Sequence, residues 1–435
     1  MLKKIVLLLI ERKARKYLAI HQPLVVAVTG SVGKTSTKMS IAAVLSQKYR
    51  VRVSDTNYNT RFSVPLTLLG VEYPENVHSV KAWRLVLRAM NLRIKQPKDV
   101  DIIVQELGTD APGDVAWFSR YLTPAVAVVT AVSPEHMQFF ADMTAVAQEE
   151  LSVANFSKML IINRDDIDSQ FAQLVQNTNI HTYGLTEPSE YRLTADQTTS
   201  VAPRRVYLSG PEWPQLEAQT TLVGDHSLKP VIAAACVGAR LGVTPEQIVA
   251  GVQSMQPVAG RMQPLEGIEN SLIIDDSYNA SPLAVEAALR TLYDIESSQR
   301  IAVLGSMNEL GEYSRKAHEL VGSLCDYEKL EWVVTIGEEA EKYLAPAAKQ
   351  QGCQVRSFRS PYQAGGFVNS VLRPDGAVVL FKGSQNGVFA EEAIKVILKN
   401  PTDEEKLVRQ SEAWMKKKQE QFNYFVASHE ITDDD

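Results

Sequence analysis

The chain has 435 residues and carries 45 Lys and Arg against 51 Asp and Glu, so its formal charge at pH 7 is −6. This acidic balance argues against a general nucleic-acid binder, and the length predicts two or three domains of about 150 residues each. The cysteines lack metal-ligand spacing, which fits a reducing, cytoplasmic location; they are Cys236, Cys325 and Cys353.

Residues 1–22 predict a basic amphipathic helix. An apolar run over residues 5–10 lies between Lys3-Lys4 and four further cations, at positions 12, 13, 15 and 16. Six apolar residues are too few to cross a membrane or to form a signal-peptide core. The helix can bind an anionic membrane surface as a peripheral contact, or it can pack on the protein body with its basic residues in water. The packed arrangement is favoured.

Residues 25–38 predict a phosphate-binding loop between a strand and a helix. Two glycines let the backbone approach an oxyanion, and the amides at the helix start point toward it. Lys34 can reach the outer phosphates of a nucleoside triphosphate, and the Thr35 hydroxyl can ligate magnesium. The loop is shorter than the usual P-loop, and a helix-capping turn is the alternative. The predicted nucleotide contacts are Gly30, Ser31, Val32, Gly33, Lys34, Thr35 and Ser36.

The hydrophobic pattern indicates an α/β protein with two sheets. Apolar strands alternate with helices from residue 25 to residue 163, which is typical of a parallel sheet covered on both faces. Residues 178–222 alternate in polarity and predict an antiparallel extension of that sheet. After residue 256 a new series begins. The predicted strands are Val25–Val28, Ile102–Gln105, Ala125–Thr130, Met159–Ile162, Ser271–Asp275, Ile301–Leu304, Trp332–Ile336 and Ala377–Phe381.

These patterns divide the chain into four segments. The N-terminal helix occupies residues 1–22, and a P-loop ATPase domain with a mostly parallel sheet follows over 23–258. A Rossmann-like, doubly wound domain is predicted over 259–399. Residues 400–435 predict a helix that begins at a capping box, Thr402 to Glu405, and ends in an acidic tail. The aromatic residues of that helix are expected to form a packing face.

Two side chains are expected beside the phosphate loop. Glu106 ends the second apolar strand, and ligands of α/β sheets bind beyond the carboxyl ends of the strands. Glu106 can therefore hold magnesium together with Thr35. His136 follows the next strand at the same edge, where an imidazole can ligate a second cation or contact a phosphate. A purely structural histidine is the alternative.

Several motifs resemble the Mur ligase family, in the order in which the family shows them. In the first half of the chain they are Thr29 to Thr35, Asn57-Tyr-Asn59, Glu106-Leu-Gly108 and His136. In the second half they are Gly260-Arg261-Met262, Asp275 to Pro282, Val303 to Gly311 and Lys382-Gly-Ser384. The second set is similar to the branch that acts on UDP-N-acetylmuramoyl-tripeptide and D-alanyl-D-alanine. The resemblance covers about residues 23–397.

The resemblance implies an ATP- and Mg2+-dependent ligase that forms an amide bond through an acyl phosphate. It implies small-molecule substrates, namely a UDP-linked peptide precursor and D-alanyl-D-alanine or a similar amine, and a monomeric enzyme without a nucleic-acid partner. Arg261 would clamp phosphate or nucleotide, and Asp276 and Asn279 match the family segment that faces ATP. Lys382 would lie near the incoming amine. The catalytic set implied is thus Lys34, His136, Glu150, Arg261 and Lys382.

Three departures from the family pattern qualify this interpretation. Glu150 stands where members commonly carry a carbamylated lysine, so that its carboxylate would join Thr35, Glu106 and His136 as a metal ligand; a solvated helix residue is the alternative. Ser227 and Pro230 replace asparagines of the adenine pocket. The loop begins near residue 29, so the separate uridine-binding domain that usually precedes it is expected to be lacking.

Two other functions fit parts of the pattern. A ligase on a different acceptor, resembling folylpolyglutamate synthases, would also do without a uridine-binding domain, although the motifs after Asp275 and Val303 count against it. A nucleotide-binding subunit without ligase turnover is favoured by Glu150 and Pro230. A kinase or GTPase would not need the second domain.

Overall fold

The structure is a computed structural model that describes residues 2–54, 57–74, 76–374, 376–384 and 387–429. The chain forms two compact units. The first unit comprises the residues up to Asp196 together with Arg204–Thr220 and Leu228–Met255, and the second comprises Gln197–Pro203, Thr221–Ser227 and the chain from Gln256 onward. The acidic tail predicted at residues 432–435 lies outside the described residues.

The described part of the first unit contains a nine-stranded sheet in the order β2-β3-β1-β4-β5-β6-β7-β8-β9. Pairing is parallel from β2 through β7 and antiparallel from β7 to β9. The antiparallel extension predicted over residues 178–222 is therefore confirmed for β7 to β9 but was wrong for β6, which is parallel to both of its neighbours. The strands are β1 (Leu24–Thr29), β2 (Val51–Val53), β3 (Ile102–Glu106), β4 (Val126–Val129), β5 (Leu160–Asn163), β6 (Ile180–Gly184), β7 (Tyr191–Ala195), β8 (Arg204–Gly210) and β9 (Trp213–Thr220).

Helices pack against this sheet because the central strands are apolar along their length. β1 and β4 bury Val26, Val28, Ala127 and Val129 completely. The helices of the first unit are α1 (Leu2–His21), α2 (Lys34–Leu45), α3 (Val64–Leu69), α4 (Val80–Lys95), α5 (Asp114–Trp117), α6 (Met143–Leu151), α7 (Leu228–Arg240) and α8 (Pro245–Gln253). The predicted N-terminal helix is therefore present, and it buries one face.

The second unit is the predicted doubly wound fold. Its sheet has the order β10-β11-β15-β12-β13-β14, and all pairs except β10–β11 are parallel. The strands are β10 (Gln263–Glu266), β11 (Leu272–Asp276), β12 (Gln299–Gly305), β13 (Trp332–Ile336), β14 (Val355–Phe358) and β15 (Ala377–Lys382). The helices are α9 (Pro282–Asp294), α10 (Ser314–Ser323), α11 (Ala345–Gln350), α12 (Pro361–Val371), α13 (Glu391–Ile397) and α14 (Glu412–His429).

The predicted start of the C-terminal helix was wrong. Asn400, and not Thr402, caps a short 3-10 helix over Pro401–Lys406, because the Asn400 side chain accepts a hydrogen bond from the Thr402 amide. The chain then adopts a left-handed conformation at Arg409 (φ 58°), so α14 begins only at Glu412. The expected aromatic packing face is confirmed, since Trp414 and Phe422 both contact Phe389.

Helix α14 carries a buried charge into the second unit. The Lys418 ammonium is fully buried and lies 3.0 Å from a Glu391 carboxylate oxygen and 2.6 Å from one of Glu392. Arg409 pairs with the other Glu391 oxygen at 2.7 Å. Glu391 is thus held by cations that follow it by 18 and 27 residues, whereas Glu392 pairs with Lys418 and with the nearby Lys395.

We predict that Lys418→Ala lowers the free energy of unfolding by about 3–5 kcal/mol, because it removes the buried cation that Glu391 and Glu392 share and leaves their negative charge only partly compensated. Chemical denaturation followed by circular dichroism measures the change. Lys416→Ala is the matched control, since Lys416 lies on the same helix with its side chain 78% exposed and should cause no measurable change. Equal effects of the two substitutions would contradict the assigned role of Lys418.

Candidate active site

The phosphate loop connects β1 to α2, and its glycines are required by its shape. Gly30 has a φ of 126°, and a Cβ atom there would lie 2.3 Å from the Thr130 hydroxyl oxygen. Gly33 has a φ of 84° and precedes the first residue of α2. Neither backbone conformation suits a residue with a side chain. The two glycines are therefore required by the backbone conformation of the loop, as the sequence predicted.

The start of α2 is open to an anion. The first helical hydrogen bond joins the Thr37 amide to the Gly33 carbonyl at 2.9 Å, and among the described residues no side chain caps the helix. The loop itself is fastened to the neighbouring strand, because the Ser31 amide donates to the Ala131 carbonyl and the Thr130 hydroxyl donates to the Val32 carbonyl. A rigid loop with unbonded amides at a helix N-terminus is suited to bind phosphate.

Lys34 folds back over the loop. Its ammonium donates to the Gly30 carbonyl at 2.6 Å and lies 3.4 Å from a Glu135 carboxylate oxygen. Burial alone would lower the pKa of Lys34, but the charges of Glu135, Glu150 and Glu106 outweigh it and raise that pKa. Lys34 therefore stays cationic across the physiological range.

The predicted magnesium pair lies together. β1 and β3 are parallel neighbours with Val28 opposite Glu106, which brings the Thr35 hydroxyl to 3.0 Å from a Glu106 carboxylate oxygen. The Lys38 ammonium lies 3.5 Å from that same oxygen, and the other Glu106 oxygen accepts from the Asn59 amide at 2.9 Å. A hydroxyl beside an oriented carboxylate is a donor set that fits Mg2+. Thr35 and Glu106 are the residues that would hold the ion.

Glu150 lies against the phosphate loop and not in solvent. Its carboxylate is 2% exposed and accepts hydrogen bonds from the Gly30 amide at 2.8 Å and from the Thr29 hydroxyl. The alternative of a solvated helix residue was therefore wrong. Burial raises the pKa of Glu150 to about 7, although the Lys34 charge and the hydrogen bonds oppose the shift.

His136 lies in the loop after β4, on the same side of the sheet. Its Nε2 is 3.8 Å from a Glu135 oxygen and 3.9 Å from an Asp110 oxygen, and its backbone has a positive φ of 52°. The proposed metal residues thus fall into separate contacts: Thr35 with Glu106, Glu150 with the loop, and His136 with Glu135. Within the described residues, no group of three or more His, Cys, Asp or Glu is arranged to hold a metal ion.

The second unit brings together four of its predicted site residues. Asp276 and Lys382 face each other on the parallel strands β11 and β15, and their charged atoms are 3.0 Å apart. The buried Lys382 ammonium also donates to the Asn279 carbonyl, and the Ser384 hydroxyl donates to the Asn279 side chain at 3.2 Å. Burial lowers the pKa of Lys382 despite the Asp276 charge. Lys382 thereby fixes the segment from Asp276 to Asn279.

Arg261 stacks on Tyr278 in the same unit, with its guanidinium carbon 4.2 Å from the ring centroid. Its Nε is buried and has no hydrogen-bond partner among the described residues. Arg409 lies 5.7 Å from the Tyr278 ring and donates to the carbonyls of Ser277 and Tyr278. Arg261 is therefore held in place by stacking and keeps a donor for an anion.

Sequence reasoning missed three charged residues of these two clusters: Lys38, Glu135 and Arg409. Lys38 lies one helical turn after Lys34, and Glu135 directly precedes His136, so both had a local signal. Arg409 had none, because it reaches Tyr278 across 131 residues of chain. Pro230, one of the departures, is buried in the first turn of α7, where its missing amide costs no helical hydrogen bond.

Comparison with known proteins identifies the family. The model of the Mur ligase middle domain matches residues 28–238, and that of the Mur ligase glutamate ligase domain matches residues 260–385. The chain belongs to the Mur ligase family. Mur ligases form amide bonds and depend on ATP and Mg2+, which confirms the predicted enzyme class, fold and cofactors.

Two relatives similar to the chain carry the same name. The UDP-N-acetylmuramoyl-tripeptide–D-alanyl-D-alanine ligase of Bacillus subtilis (strain 168) is 28% identical over 400 residues, which cover 90% of this chain and 79% of that protein. Its Escherichia coli (strain K12) counterpart is 29% identical over 321 residues, 73% of this chain and 65% of that protein. The MurF ligase of Thermotoga maritima in complex with ADP shares the fold, with a TM-score of 0.72 at 23% identity over 90% of this chain and 83% of that chain.

We predict that Glu150→Gln stabilises the protein more at pH 8 than at pH 5. Glu150 has a folded-state pKa of about 7, raised from 4.5, so the native state loses stability between pH 4.5 and 7, where this carboxyl ionises in the unfolded chain but stays largely protonated in the folded protein. Glutamine keeps the shape without the charge. The gain at pH 8 should be about 1–3 kcal/mol, measured as a shift in thermal midpoint at each pH.

The control for this measurement is Glu217→Gln, which removes a carboxylate that is 57% exposed on β9. Its thermal shift should not depend on pH. A Glu150→Gln shift of the same size at both pH values would show that folding does not raise the pKa of the Glu150 carboxyl.

Proposed function

We propose that the chain adds D-alanyl-D-alanine, or a similar amine, to a UDP-N-acetylmuramoyl-peptide during peptidoglycan precursor synthesis. The observation that carries the proposal is the similarity to ligases of that name, which extends over 90% of the chain for the Bacillus subtilis protein. The charged groups of each unit are consistent with it, as described for the two units in turn.

In the first unit, we assign the ATP phosphates to the loop from Gly30 to Gly33 and to the amides at the start of α2. Lys34 supplies a permanent cation beside them because neighbouring carboxylates raise its pKa. Thr35 and Glu106 would hold Mg2+, which supplies charge neutralisation where two anions must approach each other. This requirement is severe, because both the acceptor and the γ-phosphate are negatively charged.

The reaction has two steps. An oxygen of the acceptor carboxylate attacks the γ-phosphorus, and the bond from that phosphorus to the β-γ bridging oxygen breaks. ADP departs, and the acceptor is now an acyl phosphate. The nitrogen of the incoming amine then attacks the acyl carbon, the carbon–oxygen bond to phosphate breaks, and inorganic phosphate and a proton are released. Lys34 remains protonated in both steps and stabilises the negative charge that moves between the phosphoryl oxygens.

Glu150 is proposed to take the place of the carbamylated lysine. Its carboxyl group belongs to the side chain itself and needs no carbon dioxide, and its hydrogen bond with the Gly30 amide places it at the phosphate loop. Its side chain is roughly three bonds shorter than a lysine carbamate. We therefore propose that it acts on the cation through a bridging water, with His136 and Glu135 as further polar groups at the same edge.

In the second unit, we assign Arg261 to an anionic group of the nucleotide or acceptor, because its buried Nε has no partner among the described residues. Asp276 and Asn279 are proposed to face ATP. Lys382 contacts the Asp276 carboxylate and donates to the Asn279 carbonyl. These contacts support the proposal that Lys382 holds the segment from Asp276 to Asn279 in position near the incoming amine.

Three properties complete the proposal: the enzyme is a monomer, it acts in the cytoplasm, and α1 gives it a peripheral membrane contact. No helix in the described ranges is both long and apolar enough to cross a membrane. One face of α1 packs on the first unit through Val6, Ile10 and Tyr17, while its opposite face is exposed. Light scattering of the purified protein tests the monomer directly.

The deciding experiment measures phosphate release from magnesium-ATP, with mass spectrometry of the products. UDP-N-acetylmuramoyl-tripeptide and D-alanyl-D-alanine are added singly and together. We expect release only with both, and a product heavier by the dipeptide. Release with a different acceptor, or ATP binding without release under any combination, would overturn the proposal in favour of another ligase or of a non-catalytic nucleotide-binding subunit.

We predict that Lys34→Ala reduces kcat by at least about 10²-fold, since it removes a cation aimed at the transferred phosphoryl group. The phosphate-release assay measures this loss, and an unchanged thermal midpoint shows that the fold persists. Lys158→Ala is the control, because Lys158 is an exposed lysine of the same unit and should leave kcat unchanged. Full activity of Lys34→Ala would show that the phosphate loop is not part of the active site.

A further inference from the structure

Helices α1 and α4 pack side by side on the first unit. The Lys13 ammonium donates to the Asn91 side chain, and the His21 ring lies 3.2 Å from the Ile94 carbonyl oxygen. Each helix buries one face in the core, through residues such as Tyr17 on α1 and Met90 on α4. The opposite faces of both helices are turned to solvent.

The solvent faces of α1 and α4 carry large apolar side chains. Six of them are 48–63% exposed: Ile5, Leu8 and Ile20 on α1, and Val80, Leu85 and Leu92 on α4. With Leu9 they account for seven of the thirteen exposed large hydrophobic residues found in the described chain, although the two helices comprise only 36 residues. Such a concentration of exposed apolar side chains marks an interaction surface.

The same two helices are strongly cationic. They contain eleven of the 45 Lys and Arg residues but a single acidic residue, Glu11, which is buried and bonded to the Trp117 indole at 2.6 Å. The chain as a whole has a charge of −6, so its positive charge is concentrated here. Partial burial and the charges of Lys16 and Arg12 lower the pKa of Lys13, which reflects the local excess of cations.

We propose that the exposed faces of α1 and α4 together form a docking surface for an anionic lipid bilayer. Arg84 and Arg88 alternate with Leu85 and Leu92 on α4, a pattern that places cations at lipid phosphates while leucines enter the acyl boundary. Charge complementarity selects this occupant. Nucleic acid would not use the leucines, and a second copy of the same face would meet like charges.

This inference extends to α4 the membrane contact proposed above for α1, and it does not depend on the ligase reaction. α4 buries its inner face as α1 does, so neither helix has to leave the core in order to bind. The contact is therefore with the bilayer surface, and both helices keep their places in the fold.

The test is co-sedimentation of the full chain with vesicles. We expect binding to vesicles that contain phosphatidylglycerol, at least tenfold weaker binding to pure phosphatidylcholine, and a loss of binding at high salt. The double substitution Arg84→Glu/Arg88→Glu on α4 should weaken binding at least tenfold. Leu85→Ser/Leu92→Ser should weaken vesicle binding even at low salt, where the attraction between the helix cations and the lipid phosphates is not screened.

Matched controls lie on α10 of the second unit. Arg315→Glu and Leu320→Ser change an exposed cation and an exposed leucine on one helix, and both should bind vesicles like the parent. Equal binding to both vesicle types, α4 variants that bind like the parent, retention of RNA in place of lipid, or self-association through this face would each overturn the proposal.

Phosphate release with soluble substrates separates this proposal from the proposed function. The α4 variants should keep the parental rate, because their side chains lie outside both clusters of site residues. A protein that binds vesicles without ligase turnover would refute only the reaction. A protein that turns over without binding vesicles would refute only the docking surface.

Discussion

The imbalance of buried charge at the phosphate loop is the constraint on which the first unit depends. The charges of Glu135, Glu150 and Glu106 all act on Lys34, and Lys38 is the cation within ion-pair distance of Glu106. Carboxylates in such surroundings repel one another and pay a desolvation cost unless hydrogen bonds or cations compensate it. For Glu150, hydrogen bonds from the Gly30 amide and the Thr29 hydroxyl compensate part of this desolvation, and the same bonds hold the loop in place. The same excess of carboxylate oxygen makes the site suited to a divalent cation.

The second unit pairs its buried charges more evenly. Arg261, Arg409 and Lys382 converge around the Tyr278 segment, and stacking on an aromatic ring holds two of them in place. Asp276 pairs with Lys382 and Glu391 with Arg409. Arg409 reaches that segment only because Glu391 orients its guanidinium through two contacts of 2.7 Å. A charge network rooted in α13 and α14 therefore supports the Tyr278 segment.

The parts of the fold that could be predicted are those with a local cause. Glycine at positions 30 and 33 indicates a positive backbone φ, and fully buried strands such as β4 are recognisable as apolar runs. The short edge strand β14 had no such signal, because its residues are half exposed. The capping box predicted at Thr402 was plausible, but Asn400, two residues earlier, is the residue that caps the 3-10 helix. Contacts between distant segments were out of reach: nothing near Glu150 in the sequence indicates that its partner is the Gly30 amide. The family motifs located the candidate residues, but only the coordinates gave their partners.

The buried lysine of α14 has a consequence for synthesis of the protein. Glu391 and Glu392 leave the ribosome well before Lys418, and until that residue emerges these carboxylates lack a cation that the finished core requires. Glu391, whose cations are Arg409 and Lys418, must therefore stay hydrated in the growing chain until they emerge, which delays closure of α13 onto its sheet. The first unit, whose sheet is complete by β9, can fold earlier in translation, so assembly of the two units follows the order in which their charges become paired.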